Sequence, residues 1–199
     1  MAKILISTIY SPEPVLYACT KTSPDKLILL ITDKKDKTTT EAVKLIQNSI
    51  GKVITVALET IPEYDVVEIA KITVGIIDKQ SKDNQIIINI TSGRKTQSMG
   101  VIYGSYARNK YIHKINYYPE EKNQVIQLPI MNFKLTESQS NILKYLNKNN
   151  LSYAALATKT KLSTAMVYRA IDELQNQSLV ERTEKGSLSI TDAGKIARM

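Results

Sequence analysis

The sequence predicts an α/β fold: a mostly parallel sheet with helices on both faces, followed by a smaller C-terminal helical domain that closes with a two-stranded wing. Three patterns predict it. Between Lys3 and Arg108, short apolar runs alternate with helical stretches, and strands joined through helices pair in parallel. The run Ile86-Ile87-Ile88-Asn89-Ile90 is apolar almost without break, the pattern of a strand covered on both faces. After Pro129 the alternation stops and helical periodicities follow one another.

Taken in order, residues 3–9, Lys-Ile-Leu-Ile-Ser-Thr-Ile, make the first strand. Ser11-Pro12-Glu13-Pro14 breaks it and opens a helix through Ala18, because proline is tolerated in a first helical turn. Leu27 to Ile31 is the second strand, followed by the charged loop Asp33-Lys34-Lys35-Asp36-Lys37. Thr38 to Thr40 is expected to cap a helix with Ala42, Val43, Leu45 and Ile46 on its apolar side. Val53 to Leu58 is the third strand, and Val66, Val67, Ile69, Ala70, Ile72 and Thr73 then recur at helical spacing. Ile86 to Ile90 is the fourth strand, with a helix from about Lys95 to Arg108 behind it. Ile112 to Tyr118 and Val125 to Leu128 are joined by the turn Glu120-Glu121-Lys122-Asn123. That turn is too short for a crossover, so the pair is an antiparallel hairpin. The result is a Rossmann-like three-layer domain over residues 1–131. Ligands of such sheets sit beyond the C-terminal strand ends, where the strand order reverses. The loops after residues 9, 31, 58 and 90 are therefore the candidates.

Residues 132–199 form the second domain. Thr136-x-x-Gln139 is a capping box that opens a helix with Ile142, Leu143, Tyr145 and Leu146 on one side. A second helix covers about Ser152 to Thr158, and Thr160-Lys161-Leu162 turns into Ser163, a good N-cap residue. The third helix carries the stripe Val167, Ala170, Ile171 and Leu174. Leu179 to Arg182 and Ser187 to Ile190 are short strands.

Composition removes several function classes. One cysteine and one histidine exclude an intrachain disulfide and any His- or Cys-based metal cluster within one chain, so neither a metal nor a cofactor is expected. No apolar run reaches membrane-spanning length, and the N-terminus begins directly as a strand, so a cytoplasmic protein with no membrane partner is expected. The net charge is +8, which favours polyanionic partners. Residues 1–131 hold 17 basic and 13 acidic side chains, and the shorter remainder holds 10 and 6, so the excess is denser in the second domain.

The chemistry gathers at Ile90-Thr91-Ser92-Gly93-Arg94-Lys95-Thr96, which leaves the most buried strand and enters a helix. Ser92 and Gly93 suit a tight turn, and a helix N-terminus attracts phosphate oxygens. Arg94 and Lys95 add charge, Thr91, Ser92 and Thr96 offer hydroxyls, and Gln97 can read a base or ribose. The plainer alternative is an ordinary turn with surface cations. It is not a Walker loop, because Ile88 stands where the first glycine belongs, and Thr8 to Pro14 contains no glycine for a dinucleotide fingerprint. Arg108 and His113 have the spacing of the HEPN ribonuclease motif, but they fall where a helix hands over to a strand, so the match is read as coincidence.

Leu156-Ala157, Leu162-Ser163, Val167-Tyr168-Arg169-Ala170-Ile171, Leu174 and Leu179-Val180 resemble a winged helix-turn-helix, with Ser178 where glycine is frequent. In that fold the outward residues of the third helix, here Thr164, Ala165, Tyr168 and Arg169, face the major groove. Lys159, Lys161 and Ser163 beside it, and Arg182 and Lys185 on the wing, suit phosphate contacts. The alternative is a winged helix that only braces a dimer.

The chain as a whole resembles the CARF family, the CRISPR-associated Rossmann fold, and its fusion to a winged helix resembles CRISPR-associated transcriptional regulators. The resemblance implies a homodimer that binds a cyclic oligoadenylate, with cyclic tetra-adenylate expected, and double-stranded DNA as the second partner. The ligand residues it implies are Thr8, Tyr10 and Ser11 after the first strand, and Thr91, Ser92, Gly93, Arg94, Lys95, Thr96 and Gln97 after the fourth. Some CARF domains cleave their ligand without a metal; Ser11 and Lys95 would then be the catalytic pair of a ring nuclease. Binding without cleavage is the reading preferred.

Overall fold

The computed structural model describes residues 1–34, 36–119, 124–132, 134–184 and 186–199. The chain divides into two compact units, Met1–Asn132 and Phe133–Met199.

The first unit contains β1 (Lys3–Thr8), α1 (Glu13–Thr22), β2 (Lys26–Thr32), α2 (Lys37–Ile50), β3 (Thr55–Ile61), α3 (Val66–Asp78), β4 (Gln85–Asn89), α4 (Lys95–Ala107), β5 (Ile112–Tyr117) and β6 (Ile126–Leu128). The sheet order is β3-β2-β1-β4-β5-β6. β1 to β5 pair in parallel and β6 joins β5 antiparallel. This is a Rossmann-like sheet, and its order reverses between β1 and β4.

Strand side chains alternate between faces, and both faces of the inner strands are covered, so every second residue serves a different core. Leu5, Leu27, Leu29 and Ile87 pack with Val15, Ala18, Ala42, Val43 and Ile46 of α1 and α2. Ile4, Ile6, Ile28, Leu30, Ile86 and Ile88 pack with Ile69, Ile76, Ile77 and Val101 of α3 and α4. Cys19 belongs to the first of these cores. Burial pushes its thiol up to about 11, which leaves it inert at neutral pH.

Glycine decides how α4 lies on α3. A Cβ at Gly100 would stand 2.6 Å from the Ile69 side chain, and one at Gly104 would stand 2.6 Å from the Ala70 carbonyl oxygen. The two helices are in backbone contact there. Two local expectations need correction. Asp36, not the threonines, caps α2: its Oδ2 accepts from the Thr39 N–H and the Thr39 hydroxyl, both at 2.9 Å. β3 starts at Thr55, because Val53 sits in the preceding turn and is 84% exposed.

The second unit contains α5 (Glu137–Leu146), α6 (Tyr153–Thr160), α7 (Thr164–Asn176), β7 (Val180–Arg182), β8 (Leu188–Ile190) and α8 (Asp192–Ala197). It is a winged helix-turn-helix. Its core is Ile142, Leu143, Leu146, Leu156, Val167, Ile171, Leu174 and Leu188. The Thr136/Gln139 capping box is formed, and Ser152 and Ser163 cap α6 and α7. Ser178 takes φ 58°, the left-handed conformation for which glycine is the usual choice at a helix end. α8 was not foreseen: it is six residues long, too short for periodicity to show. Among the described residues, no helix is long and apolar enough to cross a membrane.

Candidate functional site

β1 and β4 are neighbours, with Ser7 opposite Asn89, so the loops at their C-terminal ends meet at the reversal of strand order. Ser92 locks them together. Its hydroxyl oxygen accepts from the N–H of Tyr10 at 2.8 Å and of Ser11 at 3.2 Å. Its carbonyl oxygen accepts from the Thr8 hydroxyl. Ser92 and Thr8 are buried, so both act on the loop's shape rather than on its exposed surface.

The other small residues do similar work. The Thr91 hydroxyl donates to Asn89 Oδ1 at 2.6 Å and accepts from the Tyr118 N–H at 2.9 Å. The Thr96 hydroxyl donates to the Glu63 carbonyl at 2.7 Å. Gln97 is buried, and its Oε1 accepts from the Arg94 N–H at 3.0 Å. Its Nε2 is buried without a hydrogen-bond partner among the described residues. Gly93 has φ 93°, and a Cβ there would stand 2.9 Å from Gln97 Oε1 and 3.1 Å from Thr8 Cβ.

Tyr10, Arg94 and Lys95 are exposed. Lys95 is the first residue of α4, whose first turn holds no acidic side chain, so nothing on the helix offsets the positive end of its dipole. The structure thus sorts the expected ligand residues in two. Thr8, Thr91, Ser92, Thr96 and Gln97 are engaged with one another and with the backbone, while Tyr10, Arg94 and Lys95 lie outward and Ser11 is half-buried between them.

Two neighbours were not foreseen. Glu63, in the loop after β3, has a side chain only 10% exposed, and its carboxylate pairs with Arg94 through Oε1 and with Lys34 at 3.0 Å through Oε2. The Lys34 ammonium first, and the Arg94 guanidinium after it, hold the Glu63 carboxyl below the usual carboxylate range. The Arg94 guanidinium also lies 5.4 Å over the ring of Tyr64. An acidic residue in a loop at the ligand edge was the available signal, but its partners come from loops 29 and 31 positions away in sequence (Lys34 and Arg94).

In the second unit, Lys159, Lys161, Ser163, Thr164, Ala165, Tyr168, Arg169 and Arg182 are all exposed. Lys185 lies outside the described residues. Tyr168 stacks on Tyr153 at 4.2 Å and 12°. Arg182 of the wing lies 5.6 Å over the same Tyr153 and donates to its hydroxyl at 3.1 Å. Tyr153, which sequence reading missed, therefore ties the wing to α7. Arg169 Nε is 3.3 Å from Glu173 Oε1, and Glu173 Oε2 accepts from Gln139 at 2.8 Å. Arg108 forms a two-point pair with Asp78 at 2.7 and 2.9 Å, and His113 is the second residue of β5, at the far end of the sheet. Neither belongs to the loop cluster.

A family model described as the Csa3 CRISPR-associated Rossmann-like domain matches residues 16–129. Among solved structures, Can2 from Sulfobacillus thermosulfidooxidans in complex with cyclic tetra-adenylate is similar, with TM-score 0.53 and 13% identity over 98% of this chain and 63% of that one. Enterococcus italicus Csm6 bound to cyclic hexa-2'-fluoro-hexa-dAMP is similar with TM-score 0.54 and 15% identity, over 90% of this chain and 55% of that one. Lactococcus lactis ZitR shares 33% identity over 32% of this chain and 49% of its own, with TM-score 0.29. The chain thus spans less than two thirds of the length of these proteins. Identities of 13% and 15% establish a shared fold and nothing finer. No curated protein matches the chain.

Proposed function

From the premise that the chain belongs to the family of the Csa3 CRISPR-associated Rossmann-like domain, we propose that it is a dimeric, ligand-responsive DNA-binding regulator of a CRISPR system. A cyclic oligoadenylate, cyclic tetra-adenylate first among them, binds at the loops after β1 and β4. The observation that carries the reading is the Ser92 lock. It joins the two loops at the reversal of strand order and leaves Tyr10, Arg94 and Lys95 outward at the start of α4. A phosphate there meets a helix N-terminus and two cations, and Tyr10 offers a ring to a base. Can2, which shares the fold, is solved with cyclic tetra-adenylate, which supports the choice of ligand class.

A ring presents the same groups in more than one direction, and two copies of one loop set around a two-fold axis match it. The winged helix supplies the output. α7 presents Thr164, Tyr168 and Arg169 outward, as a recognition helix does in the major groove. Binding changes DNA affinity if the ligand has different affinities for two states of the dimer. The site is read as a sensor because the sole histidine, His113, is the second residue of β5, at the opposite end of the sheet, so no imidazole serves as a base there.

Calorimetry with cyclic tetra-adenylate, paired with gel shifts on promoter DNA with and without it, tests the proposal. Saturable binding at one ring per dimer and a ligand-dependent change in DNA affinity are expected. No binding of the ring, or DNA affinity indifferent to it, refutes the sensor. Conversion of labelled ring to a linear product without metal, lost in Ser11→Ala, makes the protein a ring nuclease instead.

A further inference from the structure

We infer that Glu63 is a counter-ion latch in the proposed site: its carboxylate holds the Arg94 guanidinium until the phosphates of the nucleotide ligand take that guanidinium over. The inference rests on the ligand reading above and adds the residue that sets how readily the anion enters.

The geometry separates a fixed anion from movable cations. The Glu63 side chain is 10% exposed, whereas those of Arg94 and Lys34 are 53% and 77% exposed. The Glu63 backbone is tied to α4 by the Thr96 hydroxyl at 2.7 Å. Arg94 is the group free to change partner, and the Tyr64 ring 5.4 Å beneath it gives its guanidinium a surface to slide on. The carboxylate competes with an arriving phosphate for the same guanidinium, while Lys34 offsets its charge in either case.

Stripping a buried carboxylate of its only partner is costly. Here the cost is reduced, because Lys34, 3.0 Å from Oε2, is a second counter-ion that does not depend on Arg94 at Oε1. Two cations on one carboxylate, drawn from the loops after β2 and β4, make the exchange of one of them cheap. The latch also selects. A ligand with a single weak negative charge does not repay the loss of the Arg94–Glu63 pair, while a ring of phosphates does.

The test is calorimetry with cyclic tetra-adenylate on the full chain and on Glu63→Gln, Arg94→Ala and the double variant. Glu63→Gln keeps the shape and removes the competing charge, so it should bind about fivefold more tightly, the equivalent of ~1 kcal/mol for a partly exposed pair. That gain should vanish in the Arg94→Ala background, so that the double variant equals Arg94→Ala. Unchanged or weaker binding by Glu63→Gln, or a gain that survives without Arg94, overturns the latch while the ligand reading stands. A wild-type chain that ignores the ring overturns the ligand reading itself, and the latch with it. Thermal melts verify folding. If Glu63→Gln does not fold, Glu63→Asp, which withdraws the carboxylate by one methylene, carries the test: a gain of about twofold supports the latch and no gain refutes it.

Discussion

Gly93→Ala is the smallest change that tests whether the loop after β4 is a constrained cradle. Gly93 has φ 93°, and the added Cβ would stand 2.9 Å from Gln97 Oε1 and 3.1 Å from Thr8 Cβ. The backbone conformation alone costs an alanine roughly 1–3 kcal/mol. The nearest atom is the acceptor of the Arg94 N–H, so pushing it aside weakens a hydrogen bond with a net value of about 0.5–1.5 kcal/mol. Thr8, on the other side, is held to Ser92 and is buried in the sheet, so relief in that direction is small. The expected destabilisation is about 2–4 kcal/mol, or a Tm lower by roughly 5–15 °C in thermal unfolding followed by circular dichroism. Cyclic tetra-adenylate binding should weaken with it, because the Arg94 N–H marks the start of α4. A variant that melts within about 1 °C of wild type and binds the ring normally would refute the cradle.

Further outcomes concern Lys95, the winged helix and Glu63. Lys95→Ala removes an exposed cation from the start of α4 and should weaken ring binding by about 10- to 100-fold in calorimetry, the value of one charge-assisted bond. Arg169→Ala should reduce promoter affinity in gel shifts more than Lys148→Ala does, and wild-type affinity should fall steeply with salt; Tyr153→Leu should also reduce it by releasing Tyr168 and Arg182 from their stack. The Glu63 carboxyl, held below its ordinary 4.5 by Lys34 and then Arg94, contributes stability that is present above that ordinary value and lost as the pH falls through the lowered one. Urea midpoints should therefore drop more steeply with acid for wild type than for Glu63→Gln.

What could be read from the sequence was what short-range chemistry dictates. Ile86 to Ile90 announces a doubly covered strand because no polar face interrupts it, and Thr136 with Gln139 announces a helix start because the two residues cap each other. Asp36 was missed as a cap because threonines next to it are also capping residues, and only the hydrogen bonds decide between them. Ser178 disguised a left-handed turn that a glycine would have advertised. In the loop after β4, the residue types were legible but their direction was not. Thr91, Ser92 and Thr96 looked like donors for a ligand, and their partners turn out to be Asn89, the loop after β1 and the Glu63 carbonyl. The roles of Glu63 and Tyr153 were not legible, since each takes its meaning from partners brought close by the tertiary fold.

The glycine contact between α3 and α4 has a mechanical consequence. At Gly100 and Gly104, α4 rests against Ile69, Thr73 and the carbonyl oxygens of Val66 and Ala70, so the helices approach closely there. The loop after β4 feeds one of these helices and the Glu63 loop feeds the other, and the Thr96 hydroxyl bridges the two entrances. Contacts this close are expected to make the two helices shift together rather than slide past one another. In the proposed sensor, a displacement of Arg94 would therefore reach α3 as well as α4, whose other ends lie at Asp78 and Ala107. There Arg108 grips Asp78 and couples the two ends again.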